Sequence, residues 1–370
     1  MISRDEISRC ARQAAAEAGF DLAGIASVRE HDFPELSAFS EWIDAGHAGE
    51  MKYLEKRTES GELRRASLKN AAPWAKSVIV CALNYNADQP YSTQVRDSTR
   101  GWISRYAWSR RDYHDSVLKS LRQVESAIHE CVSQHDLQIE TRSYVDTGPV
   151  VERVYAKYAG IGWIGKNTCI INQKLGSWIF LGVILTSLDL LPDLPAPDRC
   201  GSCTRCIDAC PTDAIIAPGK MDARRCIAYL TIEKRGDVPE EFRADIGHHI
   251  FGCDICQDVC PWNNKRGNAP PASHHEFQPK PELVHPDLHW LGEMNEQQFR
   301  EAFRGSPLKR AKYAGLKRNV AIAMGNSGNP EFIPQLEKMA ADPDPVIAEH
   351  ARWALEKLGQ HKSLGSRYRR

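Results

Sequence analysis

The sequence predicts a chain in three parts: an α/β (α+β) domain over residues 1–195, a cysteine-dense domain over 196–265, and an α-helical module over 287–360. Three observations carry that expectation. Helical and strand patterns alternate as far as residue 195, the mark of layered helix-and-sheet architecture. Eight of the twelve cysteines fall between Cys200 and Cys260. Past residue 300, helix starts recur in which a capping residue precedes a proline.

In the first part, Ile7, Ala11, Ala14, Ala15 and Ala18 recur at helical spacing and stop at Gly19. Strands are expected at 22–26, 77–82, 139–145 and 178–185, and helices at 38–45 and 150–158. Val117, Leu121, Val124 and Ile128 mark a further amphipathic helix. The segment 178–185 is the most apolar stretch and reads as a buried strand, far short of the ~20 residues of a membrane span. Residues 1–12 contain no apolar export core. These features predict a soluble, cytoplasmic chain with no membrane association, and a monomer is expected. The proline-rich Leu191-Pro192-Asp193-Leu194-Pro195-Ala196-Pro197 reads as a linker, and 270–286 as a second connector.

The run Cys200-x2-Cys203-x2-Cys206-x3-Cys210-Pro211 is the bacterial ferredoxin pattern. A second run, Cys253-x2-Cys256-x3-Cys260-Pro261, lacks its leading cysteine, which Cys226 is placed to supply. Thiolates two residues apart wrap three corners of a cubane, and the fourth, before proline, reaches the neighbouring cluster. Cys200, Cys203, Cys206 and Cys260 are therefore assigned to one [4Fe–4S] cluster, and Cys210, Cys226, Cys253 and Cys256 to a second. Disulfides fit poorly with closely spaced thiols in a reducing compartment. Zinc sites do not require two interleaved Cys-Pro endings. Cys10, Cys81, Cys131 and Cys169 are dispersed and read as small buried side chains.

In the third part, Ser306-Pro307, Asn329-Pro330 and Asp344-Pro345 each open a helix; these end near Gly325-Asn326, before Asp342, and at Gly359. Paired short helices of this kind resemble HEAT repeats, whose stacked faces form binding surfaces. The whole chain carries 48 Lys+Arg against 48 Asp+Glu, which excludes a global attraction to polyanions. From Arg304 onward the balance is 13 to 6 in favour of cations, ending in Arg367-Tyr368-Arg369-Arg370. Such a tail suits a solvated terminus or a nucleic-acid-facing surface.

Two motifs are set aside. Gly160-Ile161-Gly162-Trp163-Ile164-Gly165 matches a dinucleotide fingerprint, but a helix precedes it and a strand follows, the reverse of what that site needs. With Lys166 it approaches a phosphate-binding loop, yet Asn167 stands where a metal-holding hydroxyl belongs. Asp287-x-His289-x2-Gly292 spells a cobalamin motif with no buried strand after it, so His289 is read as an ordinary helix-start histidine. More telling is Tyr144-Val145-Asp146-Thr147-Gly148-Pro149, which sets an acid between a strand and a helix, where ligand-contacting residues cluster in α/β folds. Asp146 as a mere helix cap is the competing reading. Met51-Lys52-Tyr53-Leu54-Glu55-Lys56-Arg57 adds cations and a tyrosine, or else an exposed charged turn.

Together, Met51-x-Tyr53-Leu54…Arg57, the Asp146 segment, Gly162-Trp163-Ile164-Gly165-Lys166-Asn167, the eight cysteines and Ser306-Pro307…Arg310 resemble the epoxyqueuosine reductases. The resemblance covers nearly the whole chain. It implies an enzyme that reduces the epoxide of epoxyqueuosine at the tRNA wobble position to queuosine. It also implies base-off cobalamin held without a histidine ligand in the 1–195 domain, and two [4Fe–4S] clusters fed by an external low-potential donor of the ferredoxin or flavodoxin type. By the same resemblance Asp146 is the proton donor, which requires a raised pKa, and Arg57, Asp146, Lys166 and Asn167 contact the cobalamin. Lys309, Arg310, Lys317 and Arg318 are expected to hold tRNA phosphates. A reductive dehalogenase of a small organohalide and a non-enzymatic electron carrier with a binding tail are the alternatives.

Overall fold

Among the described residues ten strands organise the chain, and four of them form the central sheet. In the computed structural model, residues 2–28, 33–133, 135, 137–264 and 270–367 are described, with the backbone alone for 264 and 360–367. The strands are β1 (Leu22–Ser27), β2 (Ser77–Asn84), β3 (Trp102–Ile103), β4 (Thr141–Tyr144), β5 (Trp163–Ile164), β6 (Ile170–Ile171), β7 (Ile179–Thr186), β8 (Ile215–Ala217), β9 (Lys220–Met221) and β10 (His249–Phe251). The central sheet runs β1-β2-β7-β4, and every pair in it is antiparallel. Its long pairing, Ser77↔Thr186 through Asn84↔Ile179, joins two eight-residue strands.

Helices cover both faces. On one, Ile25, Ile79, Cys81 and Ile184 meet Ile7, Ala11 and Ala14 of the helix Arg4–Glu17, and Val117, Leu121, Val124 and Ile128 of the helix Tyr113–Ser133. On the other, Val78, Val80, Val183 and Leu185 meet Leu36, Leu68 and the helix Glu152–Tyr158. That last helix lies so close to β1 that a Cβ on Gly24 would come within 2.0 Å of the Ala159 carbonyl. Every residue of β2 is buried. Two-sided burial produces continuous apolar runs, the pattern usual for parallel sheets. Periodicity therefore located the strands without revealing their direction.

Local chemistry accounts for the element ends. Ser3 caps the first helix in a reciprocal box with Glu6, and Gly19, at φ +90°, lets the chain leave it. The proline-rich segment after β7 is strapped down rather than loose. Leu190 is buried, its amide donates to Ser77, and Asp193 accepts from the Ile25 amide and from Arg12. The 270–286 connector likewise lays Ala272 and Phe277 on the sheet's first face.

The C-terminal helices share their core with both other parts. Leu288, Leu291, Phe299, Val320, Met324, Phe332, Leu336, Ile347 and Ala351 pack with Trp102, Ile103, Trp108, Ile250 and Phe251, and β10 pairs with β3 in parallel. Ser306-Pro307 opens a 3-10 turn, Pro307–Ala311, that runs into the helix Lys312–Asn326. The helix begun at Pro345 continues to Arg367, past the stop expected at Gly359, because a lone glycine costs a helix only ~1 kcal/mol. The expected cationic ending at 368–370 lies outside the described residues.

Two expected phosphate ligands are interior. Lys317 and Arg318 are 5% and 1% exposed. Lys317 donates to the Gly292 carbonyl, and Arg318 to the carbonyls of Leu230, Lys234 and Gly236 at 2.6–3.1 Å. Arg318 ties the helix Lys312–Asn326 to the cysteine domain and Lys317 ties it to the helix Leu288–Glu293, and burial lowers both pKa values, that of Arg318 to about 10. Charge counting misplaced them because it records a cation without recording which way it faces. Arg318→Ala is expected to strand those three carbonyls and cost roughly 3 kcal/mol. A clear fall in the melting temperature of the cluster-loaded protein, with nucleic-acid binding keeping its salt dependence, is the expected result.

Candidate functional site: a carboxylate cleft beside two cysteine clusters

Asp146 sits two residues past β4, at φ +56°, a left-handed conformation uncommon for a residue other than glycine. It caps no helix: Val151 holds the cap position of Glu152–Tyr158. Its amide donates to Glu152 Oε1 at 2.7 Å, which holds the turn in place. The Tyr113 hydroxyl lies 3.4 Å and His114 Nε2 3.9 Å from its Oδ2. Tyr113 is fixed by stacking on Phe180 at 4.3 Å. His114 is fixed by Asp112, whose Oδ1 accepts from Nδ1 at 2.7 Å.

The proton inventory of this cleft differs from the expectation. Burial pulls the Asp146 pKa upward, but the hydrogen bond and charge of His114, with the charges of Arg310 and Arg153, hold it below its ordinary value. The side chain is still 57% exposed, so solvent screening tempers those charges. His114 is pulled down by burial, yet its bonds to Asp112 and Asp146 raise it to about 9. Burial and the neighbouring Asp146 charge push Glu152 up to about 8. Near neutral pH the protons therefore sit on His114 and Glu152, with Asp146 ionised between them.

Tyr53 and Arg310 stand at the rim. Arg310 Nη2 donates to the Tyr53 hydroxyl at 3.1 Å, its Nε pairs with Glu233 at 2.5 Å, and Arg65 lies 5.9 Å over the Tyr53 ring. Arg57 lies elsewhere in its turn, donating to the Gly61 carbonyl and pairing loosely with Asp44 at 3.8 Å. The sequence reading missed Asp112, Tyr113, His114, Glu152, Arg153 and Arg65. The one local signal was the polar Asp112-Tyr113-His114 triplet opening a long amphipathic helix.

All twelve cysteines are free thiols. The cluster thiols fall into two neighbourhoods. Burial raises Cys206 and Cys260, and both also feel Cys200. Burial likewise raises Cys226 and Cys253, and both also feel Cys210. Cys256 is raised through its bond to Cys169, then by burial, with Cys253 and Cys226 nearby. Cys169, expected to be remote, thus touches the second group. The Ala214 amide donates to Cys210 Sγ at 3.3 Å, the kind of amide-to-sulfur contact that supports a thiolate-bound cluster. Among the described residues no three His, Cys, Asp or Glu side chains converge on a single-ion site.

The glycine-rich motif explains itself here. Gly160, at φ +73°, ends the preceding helix, and β5 and β6 form a short hairpin. A Cβ on Gly162 would come within 2.4 Å of the Ile171 carbonyl. Lys166 Nζ donates to the carbonyls of Gly201 and Cys203 at 2.7 and 2.9 Å, and Asn167 Nδ2 to that of Cys256 at 3.3 Å. Lys166 and Asn167, expected at a cofactor pocket, hold both cysteine loops. Asp287 caps its helix through the Trp290 amide, and His289 bonds Gln335, so that motif is spent on packing.

A sheet-borne acid–base cleft joined to a two-cluster cysteine domain defines an iron–sulfur oxidoreductase. A family model described as 4Fe-4S double cluster binding domain matches residues 199–263. One described as Epoxyqueuosine reductase QueG, DUF1730, matches residues 65–147. Curated epoxyqueuosine reductases of Vibrio cholerae serotype O1 and Pseudomonas aeruginosa are 38% and 39% identical, over 94% and 93% of this chain and 91% and 92% of theirs. A crystal structure of epoxyqueuosine reductase with an epoxyqueuosine-modified tRNA-Tyr stem loop superposes with a TM-score of 0.80 at 33% identity, over 94% of this chain and 89% of that one. The chain belongs to the epoxyqueuosine reductase family, as the sequence motifs implied.

Lys166→Met is expected to free the Gly201 and Cys203 carbonyls and loosen the first cysteine loop. Reconstituted protein carrying it should lose iron to a chelator several-fold faster than wild type, followed by the decay of cluster absorbance.

Proposed function

We propose that this chain reduces the epoxide of epoxyqueuosine in tRNA to the alkene of queuosine, drawing electrons through two [4Fe–4S] clusters from an external low-potential donor. The observation that carries the reading is the attachment of both cysteine loops, through Lys166 and Asn167, to the β5–β6 hairpin that follows the helix Glu152–Tyr158, whose Glu152 holds the Asp146 turn. Family membership over the full length of the chain supports the substrate. The conversion consumes two electrons and two protons and releases the epoxide oxygen as water. The ligand sets are Cys200, Cys203, Cys206 and Cys260 for one cluster, and Cys210, Cys226, Cys253 and Cys256 for the other.

Cobalamin is the cofactor the resemblance implies for the 1–195 domain. Support comes from the cleft: β4 is an edge strand, and the buried Ser143 Oγ on it has no hydrogen-bond partner. Such a group suits a ligand bordered by amides. Bound there, the cofactor supplies a reducible metal centre for carbon–oxygen bond cleavage, chemistry beyond the reach of side chains. Arg57, Lys166 and Asn167 remain its proposed contacts in this reading. The paired helices 312–326, 333–340 and 345–367 are read as a HEAT-like module. With Lys317 and Arg318 interior, exposed Lys309 and the rim cation Arg310 are its candidates for tRNA phosphates.

The chain's own residues handle the proton. As the epoxide opens, its oxygen becomes a strong base and takes the first of the two protons from His114 by way of the ionised Asp146; the second, taken as that oxygen leaves as water, comes from solvent along the same path. His114, charged near neutral pH, passes its proton across the 3.9 Å to Asp146 Oδ2. Tyr113 keeps the carboxylate aimed, and Glu152 fixes the backbone of its turn.

Reconstituted protein given cobalamin, a strong reductant and epoxyqueuosine-containing tRNA should yield queuosine on nucleoside analysis; its absence would refute the assignment. Asp146→Asn is expected to slow single turnover by about 10²–10⁴-fold while both clusters remain. The pH dependence has a defined sign. Glu152 and His114 are loaded below their raised values and emptied as pH rises through about 8 and about 9. The single-turnover rate should therefore fall across that window, and a rate that climbs there would remove His114 from the pathway.

A further inference from the structure

The hairpin β5–β6 does more than clamp loops. Trp163 is 2% exposed, and its indole Nε1–H donates to Cys200 Sγ at 3.4 Å, within range for a hydrogen bond to sulfur. The Trp163 and Trp262 rings meet edge-on at 5.1 Å, and with Ile171 they pack around Cys200 and Cys260. Both of these thiols belong to the first ligand set, on which this inference rests. The ammonium of Lys166 is bonded to two carbonyls of the same loop. On the second set's loop the matching contact comes from Asn167, which is neutral.

A hydrogen bond to a ligating sulfur draws electron density from it. It stabilises the reduced cluster, which carries one more negative charge, over the oxidised one, and so raises the reduction potential. The Lys166 charge acts in the same direction on the same cluster. Exposure follows the same division. Gly201, Ser202, Thr204 and Arg205 on the first loop are exposed, whereas Asp254 and Asp258 on the second are buried. We propose that Trp163 sets the potential of the cluster held by Cys200, Cys203, Cys206 and Cys260, making it the port that accepts each electron from the external donor. One electron reduces that cluster and then passes to its neighbour, and the first is left oxidised for the next.

The test is an EPR-monitored redox titration of reconstituted wild type and Trp163→Phe, which keeps a ring but removes the N–H. The first cluster of the variant is expected to be about tenfold harder to reduce at fixed ambient potential, about 59 mV for one electron, with the second unchanged. Unchanged potentials, or equal shifts of both clusters, would overturn the proposal. Should the variant lose the first cluster, pulsed EPR of reduced wild type labelled with indole-15N tryptophan decides: a nitrogen coupling supports the bond and its absence refutes it. Iron content and two distinct EPR signals in wild type test the ligand reading separately, since that reading fails if they are missing even before any variant is made.

Discussion

The β5–β6 hairpin is the constraint on which the site depends. Two cysteine loops carry no large core of their own; the short helices Arg205–Asp208 and Ile255–Asp258 are each four residues long. Their geometry is imposed from outside by Lys166 and Asn167, which donate to loop carbonyls, and by Trp163, which donates to a sulfur. The hairpin in turn is anchored to the sheet through the helix Glu152–Tyr158, the same helix whose Glu152 holds the Asp146 amide. One rigid path therefore links the electron-carrying loops to the proton-carrying turn. A shift in the hairpin would disturb both.

The cleft also separates two roles that a single acid was expected to combine. An acid that is 57% exposed and faces an imidazolium is ionised near neutral pH. The proton near neutral pH is held by His114, raised by two carboxylates, while Asp146 is the residue that reaches the open side. Ligand binding over the cleft would displace water and strengthen every one of these interactions, because screening by solvent is what now weakens them. The lowered Asp146 pKa therefore replaces the raised value expected from sequence, because His114, Arg310 and Arg153 together outweigh burial.

What was legible in the sequence followed from local rules. The sheet strands at 22–27, 77–84, 141–144 and 179–186 and the main helices announce themselves by period, and the cysteines by spacing that reflects cluster geometry. Asp146 was found because strand, acid and helix are adjacent in the chain. Relations that exist only in three dimensions were not legible. Strand direction was hidden because both sheet faces are covered. His114 and Arg310 meet Asp146 from two distant segments, and no spacing rule connects them; Glu152, six residues on, returns to its amide across the turn. Lys317 and Arg318 looked like surface cations because composition is blind to facing, yet they close carbonyls at a buried joint.

That joint bears on how substrate and electrons reach one centre. Arg318 and Asn319 bond the helix Lys312–Asn326 to Leu230, Thr231 and Ile250, within the cysteine domain. Arg310, just before that helix, reaches across to Glu233 and Tyr53 at the cleft rim. The C-terminal helices are thus fixed against the cluster domain by the interior Arg318 and Asn319, and Arg310 stands at the rim beside Asp146. A chain of zero net charge has no general attraction for polyanions, so any anion it meets responds to where its unburied cations stand.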